Sequence, residues 1–152
     1  MRDRNNQANI LEGLQSVNEA KNEKYIDIED IKSNSKVRDF FVVERGLVDD
    51  FYDFMKSWDK ASREHYERDL KGLEYNPPKF TVGKNYIKTV FHGAVSSFID
   101  RYGNVYKPAS WAAPAKGVRY YLDDDRDIKF DSYGSFLYGN RNLEPRNAEF
   151  YR

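Results

Sequence analysis

"NPPKFTVGKNYIKTVFHGAVSSFID", residues 76–100, is where the chain changes its period. Upstream of the two prolines, Leu47, Phe51, Phe54, Trp58, Ala61 and His65 recur at steps of four and three, which is one face of an α-helix. Tyr52, Met55, Tyr66 and Leu70 widen that stripe, Gly72 is a C-terminal stop, and the Asn-Pro-Pro run ends any helix. The spacing predicts one long helix, or two with a break near Ser62, over residues 48–71. Downstream the period falls to two. "KFTV" and "YIKTVF" flank "GKN", "AVSSFID" follows "HG", and "RYGN" leads into "VYK", so residues 79–107 read as a meander of four short antiparallel strands.

Pro108 and Pro114 are expected to end that sheet, because proline cannot donate to a ladder. Residues 108–122 then read as a Pro-rich closing loop, with Trp111 buried under the sheet and Trp58 anchoring the helix. Ahead of the α+β domain, taken as residues 37–138, lies a polar arm over residues 1–36, extended or partly helical. It has too little apolar surface for a core of its own. Its anchors toward a partner are Ile10, Leu11, Leu14, Val17, Tyr25, Ile26 and Ile28. An irregular tail over 139–152 carries Phe150 and Tyr151 near its end.

The 152 residues suit one small domain with an arm. Hydrophobic residues are 39% of the chain, so the core must be small and lean on its 12 Tyr, 10 Phe and 2 Trp. The chain is formally neutral, but unevenly so. Residues 1–78 carry 13 Lys/Arg against 17 Asp/Glu, residues 79–121 carry 7 against 1, and residues 122–152 carry 5 against 7. A basic middle between acidic flanks attracts a polyanion, or its own flanks. The absence of cysteine excludes a disulfide framework and thiolate metal sites, and suits a reducing compartment. No run of about 18 apolar residues is present, so no membrane-spanning helix is expected, and "MRDRNNQANI" lacks the apolar core of a signal peptide.

The densest chemistry sits in "VYKPASWAAPAKGVRYYL", residues 105–122, which contains no acid. Lys107, Lys116 and Arg119 suit phosphates, and Trp111, Tyr120 and Tyr121 suit stacking on bases. The competing reading makes the same residues structural, with Lys116 and Arg119 meeting the acids of "DDDRD" at 123–127. Catalysis has little to stand on. His92 has no second histidine or cysteine near it, and Ser96 and Ser97 would face opposite sides of a strand. His65 falls on the helix stripe and reads as packing. The acidic run lacks the glycine and distal glutamate of a calcium loop. No metal and no cofactor is expected.

Residues 83–122 resemble a group of small tailed-bacteriophage proteins. These share a Gly-Lys-x-Tyr turn, a Phe-Val-Asp strand end and a Gly-x-Val-x-Lys-Pro-Ala-Ser-Trp-x-Ala-Pro-Ala-Lys-Gly-x-Arg signature. The matching residues here are "GKNY" (83–86), "SFID" (97–100) and "GNVYKPASWAAPAKGVRYYL" (103–122). The resemblance covers about a quarter of the chain. It implies a phage origin and a small β-rich module, in the virion or the host cytoplasm during infection. The expected function is therefore non-catalytic docking to other phage proteins in an assembly. The alternative is nucleic-acid binding by segment 107–121, through Lys107, Trp111, Lys116, Arg119 and Tyr120.

Overall fold

The computed structural model describes residues 24–124 and 128–151. It shows an α+β fold: a six-stranded antiparallel sheet in the order β1-β2-β3-β4-β5-β6, with one long helix across one face. The strands are β1 (Ile26–Asp27), β2 (Lys79–Val82), β3 (Tyr86–Phe91), β4 (Ala94–Asp100), β5 (Asn104–Pro108) and β6 (Pro114–Tyr121). A 3-10 segment, Ile28–Ser33, leads into helix α1 (Ser35–Phe40), and α2 spans Gly46–Asp69 without a break at Ser62. Every sheet neighbour is also the next strand in sequence; the connections from β2 to β6 are short turns, while the link from β1 to β2 carries the 3-10 segment and both helices. The β3–β4 turn is the shortest: His92 and Gly93 both take positive φ, 53° and 75°, as a two-residue turn of the right twist requires.

The predicted stripe is the buried face of α2. Leu47, Phe51, Phe54 and Trp58 are 0–2% exposed, and Val48 and Met55 join them. Opposite lies the sheet's inner face of Phe80, Ile87, Ile99, Val105 and Tyr120. The rings meet edge to face or tilted. Phe51 stands 4.9 Å from Phe80 and Trp58 5.8 Å from Phe91, geometries that add to the area term. Toward the C-terminal half of the helix the strands run out, and a loop fills the gap. Phe136 stacks on Phe54 at 5.2 Å and tilts against Trp58 at 4.8 Å. The loop fits because it has glycine at 134. Its φ is +78°, and a Cβ there would stand 2.6 Å from the Ser62 Cα. Ser62 is buried for this contact and donates its hydroxyl to the Gly134 carbonyl.

Three expectations need correction. Residues 24–36 are not an arm lying off the body. Ile26 pairs with Phe80, Ile28 and Ile31 are 4% and 0% exposed, and Asn34 caps α1 by accepting from the Lys36 and Val37 amides. One isoleucine per 3-10 turn suffices when a larger core is already present to receive it. Of the anchors assigned to the arm, Ile10, Leu11, Leu14 and Val17 lie outside the described residues, Tyr25 and Ile26 are half-buried at the sheet edge, and Ile28 is core. Second, the prolines do not end the sheet. Pro108 and Pro114 pair with each other at the loop end of the β5–β6 hairpin, where a missing donor costs the ladder nothing. Third, Trp111, at the tip of that hairpin, is half-buried and not core. The tail also returns to the body. The Leu143 amide donates to Val118, and the Tyr151 hydroxyl donates to the Tyr102 carbonyl at 2.7 Å.

The two tryptophans should therefore part in stability. Trp58→Ala is expected to cost about 3–5 kcal/mol, and Trp111→Ala about 1 kcal/mol or less. Urea midpoints at constant m-value read both. Equal losses would show that the hairpin tip belongs to the core.

Candidate anion-binding face

Among the described residues no helix lies over the sheet's other face, although Phe98 and Val118 on it are buried. Alternation along the strands sends one row outward: Thr81, Lys88, Phe98, Tyr106 and Val118 stand opposite one another across β2 to β6. Next to that row, Tyr86 faces Asp100. The β5–β6 loop, closed by the Ala109 and Ser110 amides donating to the Ala113 carbonyl, brings Trp111 onto this face. The Lys88 ammonium sits 4.2 Å from the Trp111 ring centroid, a cation–π contact that fixes the hairpin tip to the sheet.

Between that tip and the β1 and α1 edge lies a groove of about 810 Å³. Four lysines line it: Lys24 before β1, Lys36 from α1, Lys84 in the β2–β3 turn and Lys88 on β3. Its apolar wall is Ile26, Val82, Tyr86, Phe98 and Ala112. Among the described residues, no carboxylate lines it. Arg101 adds a fifth cation at the rim, donating to the Lys84 carbonyl at 3.0 Å. Tyr86 meets Phe98 and Tyr106 edge-on, at 5.9 and 6.0 Å, and stays partly open to solvent.

Asp100 is the acid nearest the groove's wall, and its charge is spoken for. Its carboxylate accepts from the backbone amides of Tyr102 and Asn104, from the Asn104 side chain and from the Tyr106 hydroxyl, at 2.9–3.2 Å. Burial, and then the neighbouring Asp100 charge, hold the Tyr106 hydroxyl protonated well above the usual phenol range. Asn104 in turn exchanges two hydrogen bonds with the backbone of Arg146, so the same cluster pins the tail.

The structure scatters the five residues expected to contact an anionic partner. Trp111 reaches the groove's edge. Tyr120 is 1% exposed in the core, where its hydroxyl donates to the Leu137 carbonyl. Arg119 is half-buried and donates to the Gly139 carbonyl at 2.5 Å. Lys116 is exposed on β6, and Lys107 lines a separate pocket of about 240 Å³ beside Trp58 and Phe136. Of the acidic run that Lys116 and Arg119 were expected to meet, Asp123 pairs with Arg146, and residues 125–127 lie outside the described residues. The lysines that do converge come from four separate places in the chain. Only sheet register and the return of α1 bring them together.

The histidines form no catalytic array. His92 Nε2 lies 2.6 Å from the Tyr66 hydroxyl, in an exposed stacked pair without a carboxylate. Ser97 is buried against Thr89 at 2.5 Å, and Asp100 stands at the far end of β4. His65 faces Asp69, whose carboxyl is held below the usual range by hydrogen bonds from Arg68 and then His65.

The chain belongs to a family: the model described as "Family of unknown function (DUF7717)" matches residues 4–139. That span takes in the helix and the 24–36 segment as well as the sheet. No curated protein and no solved structure matches the chain.

Asp100→Ala would leave the buried Asn104 amide and the Tyr106 hydroxyl without their acceptor. It should cost about 2–4 kcal/mol. It should also free the Arg146 amide, read as faster hydrogen exchange there. Unchanged exchange at Arg146 would separate the carboxylate from the tail.

Proposed function

We propose that this is a non-catalytic bacteriophage protein that works by docking, and that the lysine-lined outer face of its sheet is the surface that docks. The partner is an anionic chain, met in an assembly of the virion or in the host cytoplasm. The observation that carries this is the groove itself, with four lysines and no carboxylate among its described lining residues, in a chain whose formal charge is zero. Lysines gathered in a concave surface raise the local potential. The apolar wall between them supplies contact area that a merely solvated charged surface lacks.

The phage setting rests on the resemblance of residues 83–122. The docking mode proposed here is carried by the sheet: of the seven arm anchors Ile28 is spent on the chain's own core, and Ile10, Leu11, Leu14 and Val17 lie outside the described residues. Nucleic-acid contact by residues 107–121 finds less support, since of that segment only Ala112 lines the groove.

Heparin, a generic polyanion, tests the surface. Retention on a heparin column should fall by at least about tenfold in affinity for Lys84→Glu with Lys88→Glu, and fall with added salt in the wild type. Lys107→Glu with Lys116→Glu should change it little. Equal loss in both pairs would mean that charge, and not the groove, governs binding.

A further inference from the structure

We infer that the pocket of about 240 Å³ between α2, the loop at Gly134, the start of β4 and the end of β5 binds a small aromatic carboxylate, with its ring against Phe91 and Phe136 and its carboxylate on Lys107. The pocket lies on the helix side of the sheet and shares no lining residue with the lysine groove, so it stands apart from the docking reading.

Two strands lose register at the pocket's rim. Thr89 pairs with Ser97 and Val90 with Val95, which leaves Ser96 as an extra residue on β4. Tyr106 pairs with Val118 and Pro108 with Pro114, so Lys107 falls inside a second shift. Bulges turn side chains off the regular alternation and recur beside binding sites. Here Ser96 and Lys107, from neighbouring strands, line one opening.

The lining is sorted by depth. Trp58, 1% exposed, is the floor. Phe91, Phe136 and Tyr138 are half-buried walls, and Lys107 and Ser135 are exposed at the mouth. The walls hold one another: Phe136 also packs on Phe130 at 5.1 Å and on Tyr138 at 5.5 Å. A ligand therefore has little to order on entering. A dry cavity of about 150 Å³ takes benzene, so this pocket takes one ring and a head group of a few atoms.

The mouth decides the head group. No carboxylate stands among the described lining residues, and Lys107 pairs with no acid among the described residues. Burial, then the neighbouring Tyr120, holds the Tyr138 hydroxyl protonated far above its usual range, so the phenol adds no negative charge. One ammonium matches one negative charge. A carboxylate supplies that charge on two oxygens, one for Lys107 and one for a serine hydroxyl. A phosphate monoester carries close to two charges and would leave the second unmatched.

The experiment titrates the isotope-labelled full chain with phenylacetate, phenylacetamide, acetate and phenyl phosphate, reading backbone amide shifts. Phenylacetate should move the Ser96, Gly134 and Ser135 amides with a Kd of about 1 mM or below. Phenylacetamide, the uncharged analogue, should bind about threefold to tenfold more weakly, and acetate and phenyl phosphate should also bind more weakly. Lys107→Gln should weaken phenylacetate by the same factor and leave phenylacetamide unchanged, while Lys107→Arg keeps most of the affinity. Lys107 is exposed, so both variants should melt as the wild type does. Phenylacetamide or phenyl phosphate bound as tightly as phenylacetate, or Lys107→Gln without effect, would overturn the carboxylate on Lys107. Acetate bound as tightly as phenylacetate would overturn the ring subsite, and no shift with any probe would overturn the whole assignment. Heparin retention of Lys107→Gln, expected to be unchanged, keeps this result separate from that of the groove.

Discussion

One helix has to cover a six-stranded sheet, and it can cover only one face. The 24 residues of α2 give a rod about 36 Å long and about 10 Å across. That rod lies along the sheet's inner face and buries Leu47, Phe51, Phe54 and Trp58 there. Whatever it leaves open must be closed by something else. At one end the 3-10 segment inserts Ile28 and Ile31, and at the other the loop around Gly134 inserts Phe136. Gly103 shows how close the fit is: a Cβ at this β4–β5 turn would stand 2.9 Å from a Leu47 methyl.

The buried polar groups follow the same economy. Apart from the Thr89–Ser97 pair, which joins β3 to β4, they tie irregular pieces to regular ones. Asp59 on the helix accepts from the Tyr75 hydroxyl at 2.6 Å, securing the chain between α2 and β2. Burial, then that carboxylate, holds the phenol protonated far above its usual range. Ser62 holds the 131–136 loop, Asp100 and Asn104 hold the tail, and the Tyr138 hydroxyl donates to Ser96 where β4 carries its extra residue. A core this short of aliphatic residues thus draws its closing segments in with directed bonds. Buried polar groups that find such partners avoid the penalty of isolation.

Periodicity revealed what periodicity can. The α2 stripe and the four-strand meander could be read because each element repeats its own pattern over several residues. The sixth strand could not. "PAKGVRYY" opens on a proline, contains a glycine and alternates weakly, and its strand character comes from pairing with β5. The isoleucines of "YIDIEDI" read equally as a short strand or a helix start, and two paired residues carry no period that would decide between them. Aromatic character also misled. Tyr120 and Trp111 both read as aromatic members of one basic segment, but a hairpin places one in the core and the other at its tip. The binding face was hidden more deeply. Its lysines lie at 24, 36, 84 and 88, and a scan for runs of basic residues finds nothing at such separations.

The chain as a whole is neutral, but its charge is sorted by segment. Residues 79–121 hold seven cations and one acid, and the inner face of their sheet, packed under α2, has no room for charge. Basic side chains in β2 and β3 are therefore driven outward or into turns, where Lys79, Lys84 and Lys88 stand. The acids of α2 and of the 24–36 segment occupy other surfaces, and several are already paired: Asp49 with Lys32, Glu29 with Lys56 and Asp59 with Arg63. At a distance comparable to the molecule, the opposite signs cancel, so under the docking proposed above a polyanion would feel little net pull. Inside a screening length of about 8–10 Å the four lysines would weigh most among the described lining residues. Attraction would then begin where the apolar wall can also make contact, and selection would rest on fit at short range and not on bulk charge.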